Sequence, residues 1–230
     1  MKITWLGQAG FLLENENHTI LIDPYLSDEV AKINPLNWRR VPVDESFFDV
    51  KPDVIMLTHS HLDHLDTSTL SHYINRDSEI TVLAPYDTWK EVRKLGGAKN
   101  NYVMLNRGSA WSFGDITVYA VKAEHSDLTA VGFVIDDSKK TYYFTGDTLY
   151  NYDVIEEVNS LFCEGVDVVF LPINGVGNNM NAEDATDFAY DVGAKKAVPV
   201  HFGLFDTLSP EAFEFENRII PEIYKEIVID

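Results

Sequence analysis

The chain has 230 residues, of which 45% are hydrophobic and 24% charged, a composition typical of a folded globular protein. No stretch approaches the roughly 20 consecutive apolar residues that would span a bilayer, which excludes a membrane-spanning segment from the sequence prediction. The formal net charge of −19 counts against binding to nucleic acid, because a strongly negative surface repels polyanions.

The cellular context follows from the first residues and the cysteine count. The chain opens directly on a strand pattern at Lys2–Leu6 and shows no secretory signal, so a cytoplasmic location is expected. A single cysteine, Cys163, excludes an intrachain disulfide. Beside Glu164 and Asp167 it lacks the basic neighbours of a reactive thiol, and we expect a small buried apolar residue.

The first part of the chain predicts a meander of hairpins followed by a long irregular connection. Alternating apolar residues predict strands at Lys2–Leu6, Phe11–Glu14 and His18–Asp23, with short polar breaks between them. Residues Pro24 to Pro52 show no convincing periodicity. A connection of this length is interpreted as a lid, a binding loop or a misread element. Its aromatic residues would either cover a site or form a homo-oligomer interface.

The remainder of the chain alternates between buried strands and helices. No repeat or Pro/Gly/Ser linker interrupts it, so we predict a single domain over residues 1–230. Periodicity by itself predicts a mixed α/β fold. Strands are predicted at Asp53–Thr58, Ile80–Ala84, Ile116–Ala123, Ala130–Ile135, Thr141–Thr145, Val166–Leu171, Ala197–Val200 and, at the end, Glu222–Asp230. Helices are predicted at Thr67–Asn75, capped by Asp66, and at Tyr86–Leu95, Val154–Phe162, Ala182–Val192 and Pro210–Arg218.

The segment with the strongest chemical signal follows the buried strand Asp53–Thr58. It reads Thr58-His59-Ser60-His61-Leu62-Asp63-His64-Leu65-Asp66 and contains three of the seven histidines. Residues two apart on an extended chain share a side, so His59 and His61 would face one position. Asp63 and His64 follow where the chain turns into a helix. Imidazole and carboxylate groups together suit zinc and related divalent ions, and we predict metal binding here.

This pattern resembles the metal motif of the metallo-β-lactamase superfamily, and the resemblance implies a four-layer αββα sandwich. It also implies three further ligands at strand ends, for which this chain offers His125, Asp147 and His201. One divalent ion would be held by His59, His61 and His125, the other by Asp63, His64 and His201, and Asp147 would bridge them. Asp23, in Ile22-Asp23-Pro24, matches a position that supports the ligands from behind. An ordinary turn-forming role for Asp23 is an equal alternative.

Two ions about 3.5–4 Å apart lower the pKa of a shared water and deliver hydroxide to an electrophilic centre. Asp63 would accept the proton of the attacking water, with His64 beside it in the catalytic set. The predicted enzyme is therefore a dinuclear metal-dependent hydrolase. Four segments resemble the L-ascorbate-6-phosphate lactonase-like branch, which is associated with manganese as well as zinc. These segments are Gly7-Gln8-Ala9-Gly10-Phe11, Ile22 to Asp28, Leu171-Pro172-Ile173-Asn174-Gly175 and His201-Phe202-Gly203-Leu204-Phe205.

The resemblance favours a lactone or ester of a small anionic molecule, such as a sugar phosphate, as the substrate. The loop from Asn174 to Asn181 carries Gly175, Gly177 and Asn179 ahead of a helix N-terminus, where backbone amides attract anions. A plain capped turn, with Asn181 as the cap, explains the same residues. Arg39 and Arg40 offer a second anion clamp, with surface solvation as the alternative for at least one of them.

Two other functions compete with the hydrolase of small esters. A phosphodiesterase acting on small nucleotides or RNA would use the same seven ligands. A non-catalytic metal-binding module is the second alternative, although none of the seven ligand positions is lost. A β-lactamase is disfavoured because Asp147 stands where dizinc members commonly have cysteine. A flavodiiron reductase is disfavoured because position 61 is histidine and no flavin domain follows.

Overall fold

The computed structural model describes residues 1–75 and 77–230. The chain separates into two compact units, each with its own sheet. The first unit consists of Met1–Met104, Gly203–Thr207 and Glu222–Asp230, and the second of Leu105–Phe202 and Leu208–Pro221. A single domain over residues 1–230 stays a prediction.

The sheet of the first unit has six strands in the order of the chain. They are β1 (Lys2–Gly7), β2 (Gly10–Glu14), β3 (Thr19–Ile22), β4 (Val54–Met56), β5 (Thr81–Ala84) and β6 (Asn101–Met104). The first three strands pair antiparallel as the predicted meander, and β3 to β6 pair parallel. β4 is buried throughout, as expected for a strand covered on both faces.

The helices of the first unit are short. They are α1 (Glu29–Ile33), α2 (Thr67–Tyr73) and α3 (Tyr86–Val92), and one-turn 3-10 helices occupy Glu45–Asp49 and Arg93–Leu95. Asp66 caps α2 as predicted, since its carboxylate accepts from the amide of Ser68 at 3.1 Å. Leu70 and Val92 belong to the apolar cluster that includes Ile55 and Val82 of the sheet. Burial of each such side chain contributes about 1.5–3 kcal/mol to the free energy of unfolding.

The sheet of the second unit also has six strands, in the order β12-β11-β10-β9-β8-β7. They are β7 (Ala110–Phe113), β8 (Ile116–Lys122), β9 (Val131–Asp136), β10 (Thr141–Phe144), β11 (Val168–Pro172) and β12 (Lys196–Val200). The four strands β7 to β10 pair antiparallel, and β10, β11 and β12 pair parallel. Helices α4 (Tyr152–Leu161) and α5 (Ala182–Asp191) connect the parallel strands, as crossovers require.

Several sequence predictions of secondary structure were wrong. Instead of a helix over Pro210–Arg218, the chain forms only a one-turn 3-10 helix, Pro210–Ala212, followed by a backbone bridge between Ala197 and Arg218. The last residues form no strand among the described residues, and Glu226 makes a single antiparallel bridge to Thr4. Strands β6 and β7 were missed because their burial is only partial and their apolar pattern is weak.

Two further expectations concern the long connection and the cysteine. Residues Pro24 to Pro52 contain α1, whose residues are all at least partly exposed, and the 3-10 helix Glu45–Asp49. Cys163 is exposed, not buried as expected, because α4 ends at Leu161 and the thiol lies in the following turn. Across the described residues, no helix combines the length and apolar character needed to cross a membrane.

Candidate metal centre

The first unit gathers four of the predicted ligands in the loop between β4 and α2. β4 ends at Met56, and the buried pair Leu57 and Thr58 continues it to His59. The imidazoles of His59 and His64 are fully buried. The Asp63 carboxylate lies 3.9 Å from Nε2 of His64. Burying neutral imidazoles together is costly unless each ring nitrogen has a partner, so this loop is built for ligation or dense hydrogen bonding.

The rings of His59 and His61 meet nitrogen to nitrogen. Nε2 of His59 lies 3.0 Å from Nδ1 of His61, and the ring planes are nearly perpendicular at 81°. Two Zn–N bonds of about 2.0–2.1 Å at a tetrahedral angle place the two nitrogens about 3.4 Å apart. The observed 3.0 Å is shorter than this separation and is the distance of a hydrogen bond between the two rings, so a shared cation would require the nitrogens to move slightly apart. On its other side, Nδ1 of His59 contacts the hydroxyl of Thr58 at 3.0 Å.

Asp23 supports His64 from behind. The carboxylate is fully buried and lies 2.8 Å from Nδ1 of His64. Because a carboxylate can only accept, Nδ1 carries the hydrogen and Nε2 is left with a lone pair directed away from Asp23. The same carboxylate accepts from the amide of Thr58 at 2.8 Å and from its hydroxyl at 2.5 Å. The role of Asp23 in supporting a metal ligand stays a prediction.

The second unit gathers the other three predicted ligands at one edge of its sheet. His125 follows β8, Asp147 follows β10 and His201 follows β12, and these strands run in the same direction. Nε2 of His201 lies 3.4 Å from the Asp147 carboxylate, and Nε2 of His125 lies 4.0 Å from it. All three residues are buried. Imidazole and carboxylate groups together suit a divalent ion such as zinc, and the bridging role of Asp147 stays a prediction.

The loop from Asn174 to Asn181 has a role that the sequence did not reveal. Nδ1 of His125 lies 3.1 Å from the main-chain carbonyl of Asn178. A carbonyl can only accept, so Nδ1 carries the hydrogen and Nε2 faces Asp147. Asn178 has a φ of 63°, and Gly177 before it has a φ of 69°. This left-handed turn directs the Asn178 carbonyl at His125. No side-chain pattern in the sequence predicts this contact.

Asn174, Asn179 and the cap residue stand in the same loop. Asn181 accepts from the amide of Asp184 at 2.9 Å, so the predicted cap of α5 is present. The side-chain oxygens of Asn174 and Asn179 are buried without a hydrogen-bond partner among the described residues. Buried acceptors of this kind are costly unless a donor reaches them. Both oxygens are therefore candidates for contact with a bound water or substrate.

The two adjacent arginines are occupied by protein groups. Arg39 is only 8% exposed, and its guanidinium donates to the carbonyl of Tyr25 at 2.9 Å and to the hydroxyl of Tyr224. Arg40 donates to the carbonyl of Phe205 and lies over the ring of Trp38. These contacts anchor the Pro24–Pro52 connection within the first unit. The anion clamp stays a prediction.

Tyr25 contributes a neutral hydroxyl beside this cluster. Burial, with a smaller contribution from the negative charge of Asp66, raises its pKa to about 12. The hydroxyl accepts from the amide of Val30 at 3.1 Å. A tyrosine with this pKa stays protonated at neutral pH and does not serve as a general base.

Comparison with known proteins agrees with this architecture. Residues 18–202 match the profile described as the beta-lactamase superfamily domain. A UPF0173 metal-dependent hydrolase of Pyrobaculum islandicum is 30% identical over 223 residues, which cover 95% of this chain and 92% of the relative. One from Geobacillus thermodenitrificans is 31% identical over 246 residues, with 97% and 95% coverage. The metallo hydrolase Igni18 from Ignicoccus hospitalis has a similar structure, with a TM-score of 0.78, 20% identity and coverage of 100% and 98%.

The two mixed sheets and the histidine and aspartate clusters define a metal-binding α/β protein. The profile covers most of its length, and the chain belongs to the beta-lactamase superfamily. This confirms the predicted αββα fold class of the metallo-β-lactamase type. The assignment also supports an enzyme, a metal-dependent hydrolase. The lactonase-like branch stays a prediction.

Proposed function

We propose that the protein is a hydrolase with a dinuclear metal centre. His59, His61 and His125 would hold one divalent ion, and Asp63, His64 and His201 the other. Asp147 would bridge the pair. The observation that carries the proposal is the orientation of the rings. Asp23 and the Asn178 carbonyl contact Nδ1 of His64 and His125, so each ring would bind a cation through Nε2.

The ions would supply Lewis acidity and a water of lowered pKa. The protein's own groups would supply orientation and proton transfer. The Asp63 side chain is 18% exposed, whereas those of Asp23 and His64 are fully buried. Asp63 is therefore the carboxylate able to take a proton from water in this cluster, with His64 fixed beside it. Tyr25, with its raised pKa, would stay neutral nearby.

We propose a lactone or ester of a small anionic molecule as the substrate. The buried acceptors of Asn174 and Asn179 would receive donors from the substrate. The glycine-bearing loop before α5 offers backbone amides near a helix N-terminus for an anionic group. A role for Arg39 and Arg40 in binding that group would require exchange of their present carbonyl partners. The cytoplasmic location, the choice between zinc and manganese and a homo-oligomeric state stay predictions.

The test combines metal analysis with a substrate panel. We expect about two zinc or manganese ions per chain and metal-dependent hydrolysis of aryl esters and lactones. His61→Ala and Asp147→Ala should each lower kcat at least about 10³-fold while the circular dichroism spectrum is unchanged. His18→Ala, outside both clusters, is the matched control and should retain activity.

Each alternative has its own outcome in this experiment. Cleavage of nitrophenyl phosphodiesters in preference to esters would indicate the phosphodiesterase. Stoichiometric metal without turnover of any substrate would indicate a binding module. Full activity in His61→Ala or Asp147→Ala would contradict the proposed centre.

A further inference from the structure

Gln8 occupies a backbone position that glycine would normally fill. Gly7 pairs with Gly10 across the β1–β2 hairpin, so Gln8 and Ala9 form a two-residue turn. Gln8 has a φ of 47° and is 1% exposed. Glycine is preferred wherever such a turn requires positive φ, because a Cβ atom is strained there. A buried, non-glycine residue at this position indicates that its side chain is needed.

The side chain of Gln8 reaches across the unit to a predicted metal ligand. Its Nε2 lies 3.3 Å from Oδ2 of Asp63. Since a carboxylate can only accept, the amide nitrogen must be the atom that faces it. The main chain of Gln8 is held as well, because its carbonyl accepts from the indole of buried Trp5 at 2.9 Å. The side-chain amide therefore extends from a main chain that is itself held in place.

Asp63 requires such a partner more than its neighbours do. Its side chain is 18% exposed, so packing restrains it less than the fully buried His64. Asp63 Oδ2 accepts from Gln8 and is also the oxygen nearest His64 Nε2, at 3.9 Å. A neutral donor at this oxygen fixes the rotation of the carboxylate and adds no charge to it.

We infer that Gln8 is a positioning residue, which holds the Asp63 carboxylate in the orientation that binds metal and accepts the proton of water. This inference rests on the proposed function. It explains why strain is tolerated at Gln8: interactions that orient a functional group commonly maintain an unfavourable backbone conformation. If residue 8 served only to form the turn, glycine would relieve the backbone strain at this position.

The test uses cobalt(II) as the metal probe, with binding followed by titration and by the visible absorption of the bound ion. Gln8→Met keeps the approximate volume and the backbone strain and removes the side-chain amide, including the N–H that faces Asp63. We expect one of two cobalt ions to bind about 10–100-fold more weakly, with altered absorption bands. kcat for an aryl ester should fall while KM changes little. Ala9→Gly alters the same turn without touching Asp63 and should keep wild-type affinity.

Two results would overturn the inference. The first is wild-type affinity for both cobalt ions in Gln8→Met. The second is an equal loss in Ala9→Gly, which would assign the effect to the shape of the hairpin. If Gln8→Met fails to fold, Gln8→Gly replaces it, because glycine suits the positive φ. Weaker binding of one cobalt ion by Gln8→Gly supports the inference, and wild-type affinity for both ions overturns it. A wild-type chain that binds no cobalt contradicts the proposed function itself, whatever Gln8 does.

Discussion

Strained residues concentrate around the predicted ligands. Six non-glycine residues with positive φ are found in the described chain, and four of them are Gln8, Asp23, Asn178 and His201. Each such conformation costs on the order of 1–3 kcal/mol and persists only when surrounding contacts enforce it. Asp23 makes three hydrogen bonds through its carboxylate. The main-chain carbonyl of Asn178 faces Nδ1 of His125. The strain is thus linked to the orientation of ligand groups.

At this scale we predict that Asp23→Asn weakens metal binding more than it weakens the fold. The amide has one acceptor oxygen and cannot serve both Thr58 and His64 as the carboxylate does. Loss of a carboxylate partner of a ligand histidine typically lowers metal affinity about 10–100-fold. Isothermal titration with zinc measures the change.

The matched control for this substitution is Asp53→Asn. Asp53 also accepts from the main chain, at the amide of Thr19, but it precedes β4, whereas His59 follows that strand. The affinity of the Asp53→Asn protein for zinc should equal that of the wild type. Equal zinc affinity in Asp23→Asn and wild type would refute the supporting role of Asp23.

At the scale of elements, one carboxylate in the second unit links the starts of three parallel strands. Asp167, just before β11, accepts from the amide of Thr141 at the start of β10 and from Lys195, just before β12. Burial acts to raise the pKa of Asp167, but the bonds from Lys195 and Thr141 outweigh it, and the pKa lies below its usual value. The ionised carboxylate therefore stabilises the strand starts.

We predict that Asp167→Asn destabilises the fold at pH 7 and that this difference shrinks in acid. A carboxylate with a depressed pKa contributes stability above its unfolded pKa of about 3.9, which is lost as pH falls through the folded pKa. Urea unfolding of both proteins, at pH 7 and at the lowest pH where both fold, measures the difference. A gap that widens towards acid would contradict this assignment.

Most elements were predictable because their signal is local. The meander, the buried strands before His59 and Asp147 and the caps Asp66 and Asn181 all arise from neighbours in sequence. The wrong predictions share a different cause. Residues Pro210–Arg218 have a helical pattern, yet the segment bonds to Ala197 instead of extending its own turn. Tertiary contacts override propensity at such chain ends.

At the scale of the whole molecule, the net charge of −19 and the acidic ligands mean that metal removal should change the stability of the fold. Divalent ions would neutralise carboxylates that otherwise repel one another. At about 100 times the dissociation constant, a bound ion stabilises the fold by about 2.7 kcal/mol. For a chain of this size that corresponds to about 5–10 °C in Tm.

We therefore predict that EDTA lowers Tm by about 5–10 °C and that zinc or manganese restores it. Scanning calorimetry, with metal content verified by elemental analysis, measures the change. His201→Ala serves as the comparison, because a chain with a damaged centre should respond less to the chelator. An unchanged Tm in protein shown to be metal-free would contradict a stabilising metal centre.

The sequence by itself predicted the ligand cluster at residues 59–64 and a mixed α/β fold, and its resemblance to the metallo-β-lactamase superfamily implied the later ligands and the αββα sandwich. Spacing within residues 59–64 and the placing of His125, Asp147 and His201 after apolar strands carry that information, because ligand chemistry and strand patterns depend on residue type. Apart from Asp23, which the sequence had suggested, only the tertiary structure revealed which groups contact those ligands. Gln8 meets Asp63 across 55 positions, and the Asn178 carbonyl meets His125 across 53. A backbone carbonyl is present in every residue, so its direction is set by the folded chain and leaves no trace in the sequence.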